Sequence, residues 1–377
     1  MNFLEKCNFL LNIFKSFYSI IFINFQILFY KYILKKKLLL FYHPKPLLTK
    51  IHNFYITDLL KSKNNNFKIL FGYQPHNLFN KNIKNFYIIK QGFLKLIFNV
   101  DIFLSLNICD VFPNNSIKIY LHHSIYDTPL ASKKKEKDLI RRFSNYNYLF
   151  VASNQAANIF VKLFNNNNKT NIPKIYEVGY PRLDYIYKNN IKKKLINRII
   201  IAPTGIKSFP NLSIQNYLIR LIYFLRKLNK YKITYRPHPS DIKSQSTLNI
   251  KKVFKNEPLF EFDTSDNYIN IYKNSNFLIT DLSGTAYTYA LLTNNPIIFF
   301  SKNENYIKRT YYKNLNYFKN RNKIGKTITN FNQLKNAINK LEINRQKYNI
   351  EINKIRKNIK YLGKSKKRII YLLNQLC

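Results

Sequence analysis

A chain of 377 residues can bury two ordinary cores, and a hydrophobic fraction of 46% excludes a globally disordered one. The formal net charge of +45 comes from 63 Lys and Arg against 18 Asp and Glu. Because the lysines lie in every segment rather than on one stripe, they argue against a specific nucleic-acid binder and for attraction to anionic membranes and phosphate-bearing substrates.

In chain order, residues 9–30 (FLLNIFKSFYSIIFINFQILFY) are apolar and aromatic but carry Asn12, Lys15, Asn24 and Gln26. A spanning helix needs about 20 predominantly apolar residues, so this stretch reads as an amphipathic helix lying in a membrane interface, with a core helix as the alternative. No small-residue cleavage site follows, and the basic flank KYILKKK favours the cytoplasmic side of a bilayer. Residues 1–45 are therefore expected to form a membrane-associating helical segment of a peripheral or monotopic protein on the cytoplasmic face. Cys7, Cys109 and Cys377 show no CxxC pair and no metal spacing, as in a reducing compartment.

Apolar runs then alternate with helical patterns. FKILFGY (67–73), IKIYL (117–121), YLFVAS (148–153) and IYEVG (175–179) read as buried strands. A second series runs through RIIIAPTG (198–205), a helix near 213–230, YKITYRPHPSD (231–241), NFLITD (276–281) and NPIIFFS (295–301). Strands alternating with helices imply parallel sheets. Two such series predict two α/β domains with a cleft between them, residues 46–190 and 191–328. A linker is expected at 187–198, loop tips at 62–66 and 165–169, and helices over 329–377.

Ligands of open parallel sheets bind beyond the carboxyl ends of the strands, and the unusual residues cluster there. In LITDLSGTAYTYALL, Asp281, Ser283, Gly284 and Thr285 stand where a strand turns into a helix. Helix starts carry unpaired N–H groups and a partial positive charge, a natural seat for phosphate. Asp281 itself is read as a helix cap or a partner of a ligand hydroxyl. In YRPHPSD, Pro237 and Pro239 fix the direction of His238, and Arg236 is a charge-assisted phosphate donor. YLHHSIYDTPL supplies His122 and His123, either of which could take a proton from a hydroxyl nucleophile. No acidic pair has metal-binding spacing; DTSD (263–266) lacks the DxD pattern.

Five stretches in order resemble the motifs of the CDP-glycerol glycerophosphotransferase family, whose members build teichoic acids and related polymers. VGYPRLDYI (178–186) is similar to its Gly-Tyr-Pro-Arg-Asn-Asp motif and IIIAPTGIKS to its Ala-Pro-Thr-Trp loop. YRPHP resembles its second histidine motif, and LITDLSGTAYTYALLTNNPIIFF its Ser-Asp-Tyr-Ser-Ser block. LHHSIYD takes the place of its Trp-His-Gly motif. The resemblance implies a GT-B fold of two Rossmann-like domains facing a central cleft, a base at His123 or His122, with His123 favoured, and His238 beside the donor diphosphate. It also implies donor contacts from Arg236, Thr204, Gly205, Asp281, Ser283, Gly284 and Thr285, and supporting roles for Gly179, Arg182 and Asp184. The expected reaction moves a polyol phosphate from a CDP-linked donor to a hydroxyl of a membrane-associated glycan or lipid, with no cofactor or metal required. The alternatives are a GT-B glycosyltransferase using a nucleotide sugar, of the capsule sialyl or Kdo type, and, more distantly, a basic RNA-binding protein.

Overall fold

The computed structural model describes residues 3–43, 67–74, 86–130, 132–167, 171–181, 183–184, 197–265 and 268–376. Arg182, most of the expected linker, the loop tip 62–66, residues 168–169 and Cys377 lie outside the described residues. The first sheet contains β1 (Lys37–His43), β2 (Phe67–Tyr73), β3 (Phe86–Ile88), β4 (Ile102–Ser105), β5 (Ile117–Leu121), β6 (Tyr148–Val151) and β7 (Lys174–Glu177). The second contains β8 (Arg198–Ile201), β9 (Lys232–Tyr235), β10 (Phe260–Phe262), β11 (Phe277–Thr280), β12 (Ile297–Phe300) and β13 (Gly325–Ile328). Their orders are β3-β2-β1-β4-β5-β6-β7 and β10-β9-β8-β11-β12-β13, and neighbouring strands pair in parallel, for example Leu39 with Ile69 and Ile199 with Ile233. Both orders reverse at the first strand of the sheet, the doubly wound pattern that opens a crevice at the carboxyl ends.

One boundary drawn from sequence needs correction. β1 falls inside residues 1–45, yet it sits at the middle of the first sheet between β2 and β4, with Leu38 to Tyr42 fully buried. The lysines of KYILKKK mask the apolar run that follows them. Strands β3, β4, β10 and β13 also escape the sequence pattern, being only three or four residues long.

The N-terminal helix, Phe3–Leu28, lies along the first domain. Ile20, Ile23 and Ile27 pack with Leu38, Leu40, Leu94 and Phe103. The polar residues that interrupt the apolar stretch fasten it there: Asn24 Nδ2 donates to Leu96 O at 3.0 Å and its Oδ1 accepts from Phe98 N at 3.1 Å. The hydroxyls of Ser16 and Ser19 accept from Lys90 N and Ile88 N, each at 3.2 Å. Lys31 pairs with Asp101 at 2.9 Å. The opposite face is a bare apolar stripe at helical spacing, Phe14, Tyr18, Ile21, Phe25 and Leu28, each more than half exposed.

At the other end of the chain, helices Asn332–Ile343 and Arg345–Lys357 are followed by Ser365–Leu376, which returns to the first sheet. There Ile369, Leu372 and Leu373 pack with Leu39, Phe41 and Ile102. Gly179 and Asp184 make this return possible. Gly179 holds φ at +79°, and a β-carbon on it would lie 2.6 Å from Tyr361 O and 2.8 Å from Ser365 Cβ. The Asp184 carboxylate caps the helix start, accepting from Gly363 N at 2.7 Å, Lys366 N at 3.3 Å and the Ser365 hydroxyl. Gly179→Ala is expected to cost at least ~1–2 kcal/mol from the left-handed backbone alone, and Asp184→Ala about 1–2 kcal/mol through the lost cap. Hydrogen exchange over 365–376 and urea midpoints check this; wild-type protection of that helix in both variants would refute the anchoring role.

Candidate functional site

Histidine 123 and the segment after it leave β5 at its carboxyl end and cross to the second domain. Four contacts hold this loop. Tyr126 stacks on Tyr287 at 4.1 Å between ring centroids, and its hydroxyl meets Asn320 Nδ2 at 2.5 Å. Asp127 Oδ2 accepts from Asn316 N at 2.6 Å. Thr128 and Ser124 lie against Gly284, where a β-carbon would come within 3.1 Å of Thr128 Cγ2 and 3.6 Å of Ser124 Oγ. The first histidine stretch and the Ser-Gly-Thr turn, 160 residues apart in sequence, are therefore neighbours.

The two adjacent histidines are sorted by burial. His122 is 2% exposed, its ring wedged edge-on against Phe160 beside Tyr120, and both its nitrogens lack hydrogen-bond partners. Burial, reinforced by neighbouring His123, pushes its pKa down to about 3. A ring so enclosed and so weakly basic does not serve as a base near neutrality, which corrects the candidacy of His122. His123 is half-buried, and its Nδ1 lies 3.1 Å from Leu106 O. A carbonyl only accepts, so Nδ1 carries the proton and the basic lone pair is on Nε2. Tyr180, from the Gly-Tyr-Pro stretch, donates its hydroxyl to His123 O at 3.1 Å and fixes the backbone beneath the ring.

His238 follows β9 and is wired differently. Its Nδ1 lies 2.7 Å from Ser240 Oγ, which donates to Asp241 Oδ1 at 3.0 Å; Asp241 Oδ2 in turn accepts from Ile206 N at 2.8 Å. Nδ1 also accepts from Ser240 N at 3.2 Å, so its lone pair is engaged and the ring proton stands on Nε2, which is a donor. Gly205 explains its own identity here, since a β-carbon would sit 2.9 Å from His238 Nδ1.

Two sequence expectations change. Asp281 is 2% exposed, and its carboxylate accepts from Thr204 N at 2.9 Å and Ile214 N at 2.9 Å, so it ties its own turn to both ends of the loop after β8 rather than facing a ligand. Burial pushes it up to about 6 despite those N–H groups. Arg236 is committed to Asp263 and to Ser265 O at 2.9 Å, over the Tyr268 ring, and braces the loop after β10 instead of standing ready for phosphate. Thr204 is buried, its carbonyl accepting from Ser213 Oγ at 2.8 Å. Ser283, Gly284 and Thr285 form a half-exposed strip between buried neighbours. Within it, Ser283 Oγ accepts from Thr285 N at 3.3 Å, and the Thr285 hydroxyl meets Tyr272 OH at 2.8 Å. Tyr317 OH donates to Ser283 O at 3.2 Å and holds the strip from behind. Among the described residues no group of three or more His, Cys, Asp or Glu could hold a metal ion.

Sequence reasoning quoted Tyr126, Asp127, Ser240 and Asp241 without singling them out. The signal was available: a carboxylate within four residues of His123 and of His238, in a chain with only 18 acids. Asp127 is 1% exposed, and burial pushes it up to about 7 against the opposing pull of the Asn316 and Tyr317 N–H groups and of Lys162 and Lys319.

A family model described as CDP-Glycerol:Poly(glycerophosphate) glycerophosphotransferase matches residues 118–374. The teichoic acid glycerol-phosphate primase of Bacillus subtilis (strain 168) is 31% identical over 194 residues, 46% of this chain and 45% of that protein. The minor teichoic acid biosynthesis protein GgaB of the same strain is 30% identical over 155 residues, 36% of this chain and 16% of that one. The chain thus spans less than half the length of either relative. Among solved structures, the S. aureus MnaA–UDP co-structure superposes with a TM-score of 0.57 at 12% identity, covering 90% of this chain and 97% of that one. The Methanocaldococcus jannaschii UDP-GlcNAc 2-epimerase in complex with UDP-GlcNAc and UDP gives 0.54 at 16%, covering 90% and 99%. At such identities the likeness shows the GT-B fold and says nothing of the chemistry.

Asp127 supplies a pH test of the interdomain seam. Between about pH 4 and pH 7 the folded chain keeps a proton on Asp127 that the unfolded chain has released, so this group's stabilisation fades as pH rises through that window. Asp127→Asn keeps an acceptor for Asn316 N–H but cannot titrate. Thermal midpoints at pH 5 and pH 8 should fall further in wild type than in Asp127→Asn, the difference amounting to a few kcal/mol at most; parallel changes in both would remove Asp127 from the explanation.

Proposed function

Because the chain belongs to the CDP-glycerol:poly(glycerophosphate) glycerophosphotransferase family, we propose that it transfers glycerol phosphate, or a related polyol phosphate, from a CDP-linked donor to a hydroxyl group during assembly of a teichoic-acid-type polymer. The observation that carries this reading is the seating of Gly284 against Ser124 and Thr128, which brings the helix start and the His123 loop to one place. The acceptor hydroxyl gives its proton to His123 Nε2 as its oxygen attacks the glycerol-bearing phosphorus. The new P–O bond forms while the bond to the inner phosphate breaks, and CMP leaves with the electron pair. Charge on the phosphates is met by Nε2–H of His238 and by the helix start at Ser283 to Thr285, with Gly205 leaving the room that His238 needs. Gly179, Tyr180 and Asp184 support the site indirectly, through the backbone of His123 and the C-terminal helix.

His123→Gln is expected to lower CMP release from CDP-glycerol by roughly 10²–10⁴-fold, the usual worth of a general base. His238→Ala should lower it by a comparable factor, and His122→Phe, which only fills a core position, far less. A screen of CDP-glycerol, CDP-ribitol and CMP-sugars with the wild-type chain decides the donor class. CMP release from a CMP-sugar alone would replace this reading with a glycosyltransferase, and wild-type turnover in His123→Gln would end the assigned mechanism.

The acceptor in this reading is a membrane-associated glycan or lipid on the cytoplasmic face, and the N-terminal helix supports it. One helical stretch, Cys7–Ile33, is long and apolar enough to cross a bilayer by composition. Its docking through Ser16, Ser19 and Asn24 instead leaves the stripe from Phe14 to Leu28 to lie in the interface, flanked by exposed Lys15, Lys35, Lys36 and Lys37. Phe14→Asp combined with Ile21→Asp should abolish co-sedimentation with vesicles containing phosphatidylglycerol without lowering the thermal midpoint. Undiminished sedimentation would rule out the stripe as the attachment surface.

A further inference from the structure

Beyond the cleft, the segment between β12 and β13 encloses a cavity of about 350 Å³ in the second domain, and we propose that it is a second anion site, built to take a phosphate group. Its distinguishing residue is Arg321. The side chain is 4% exposed, and its guanidinium lies about 5 Å from the rings of Phe299, Tyr317 and Phe318. Nη1 pairs with Glu304 at 3.1 Å, while Nε and Nη2 are buried and make no hydrogen bond, the Tyr317 hydroxyl being the neighbouring polar group. That unused edge is the side-on fork that takes two oxygens of an oxyanion at once. A buried donor pair without an acceptor is costly, and a bound anion removes the cost.

The cavity's charge agrees. Lys308, Lys313 and Lys319 also line it, so one glutamate stands against four cations, and Tyr311 and Phe318 give it an apolar wall. Exposed lysines alone would mean little in so basic a chain. An arginine sealed among three aromatic rings with two open N–H groups is not explained by composition. The site also lies close behind the cleft, since Tyr317, beside Arg321, donates to Ser283 O, and Asn316 caps Asp127. A phosphodiester chain or a free phosphomonoester would present the same oxyanion. The inference does not depend on the transferase reading.

The test is calorimetric titration with inorganic phosphate, repeated with glycerophosphoglycerol as a diester. Arg321→Gln should weaken phosphate binding by about 10-fold. The paired change Lys308→Gln and Lys313→Gln, on exposed side chains, should weaken it by roughly 3-fold or more and steepen no salt dependence. His238→Ala, which reads the cleft, and Lys335→Gln with Lys340→Gln, exposed side chains outside the cavity lining, should leave it unchanged. Competition between the two probes assigns the site to a diester, and binding of phosphate alone assigns it to a monoester. Wild-type affinity in a folded Arg321→Gln, or equal weakening in both lysine pairs, overturns the proposal; should Arg321→Gln fail to fold, the comparison of the two lysine pairs decides.

Discussion

Two parallel sheets have no reason to face one another unless something between them is worth burying. Here that something is the loop from His122 to Thr128, which belongs to the first sheet and is buried largely by the second domain. The Tyr126–Tyr287 stack supplies apolar area, and the Asp127 carboxylate supplies direction by accepting from Asn316 N. A buried carboxyl facing only the N–H groups of Asn316 and Tyr317 is expensive to desolvate and tolerates little misplacement. The seam is therefore specific, and its specificity fixes where His123 stands relative to the helix start at Gly284. Loosening the seam would leave both sheets folded and the candidate site dispersed.

The second half solves a related problem with Asp281. Three loops, after β8, β9 and β11, must converge at one edge of a sheet, and loops carry backbone N–H groups that need partners. Asp281 collects Thr204 N and Ile214 N, and Asp241 collects Ile206 N. Each carboxylate thereby turns a flexible connection into a positioned one. Asp281, which from the sequence is either a cap or a ligand contact, and Asp241 act as the frame on which ligand contacts hang.

That difference marks how far the sequence is legible. Long apolar runs such as IKIYL and the motif stretches place both sheets and their carboxyl-end loops, because burial writes itself into composition. Strands such as β13 (GKTI) or β10 (FEF) do not, since a three- or four-residue strand is defined by its neighbours rather than by its own pattern. Site residue types were legible, their partners were not. Whether Arg236 meets phosphate or Asp263 depends on a loop 27 residues further along, and nothing local encodes it. The same holds for the adjacent histidines, identical in chemistry, of which one is sealed against Phe160 and the other is half-buried beside Leu106 O.

The opposite wiring of His123 and His238 follows from what each Nδ1 meets. A main-chain carbonyl can only accept, so it forces the proton onto Nδ1 and leaves Nε2 of His123 basic in the neutral ring. A main-chain N–H can only donate, so Ser240 N keeps Nδ1 of His238 a lone pair and leaves the ring proton on Nε2. Two chemically identical imidazoles thus acquire complementary polarity from one main-chain carbonyl and one main-chain N–H. In phosphoryl transfer the nucleophile needs a proton acceptor and the phosphate oxygens need donors, and a site with two bases or two donors would meet only one of those needs. Both partners are set by tight local geometry, Leu106 across the first sheet and Ser240 two residues from its histidine, so the division of labour is built in before any substrate arrives.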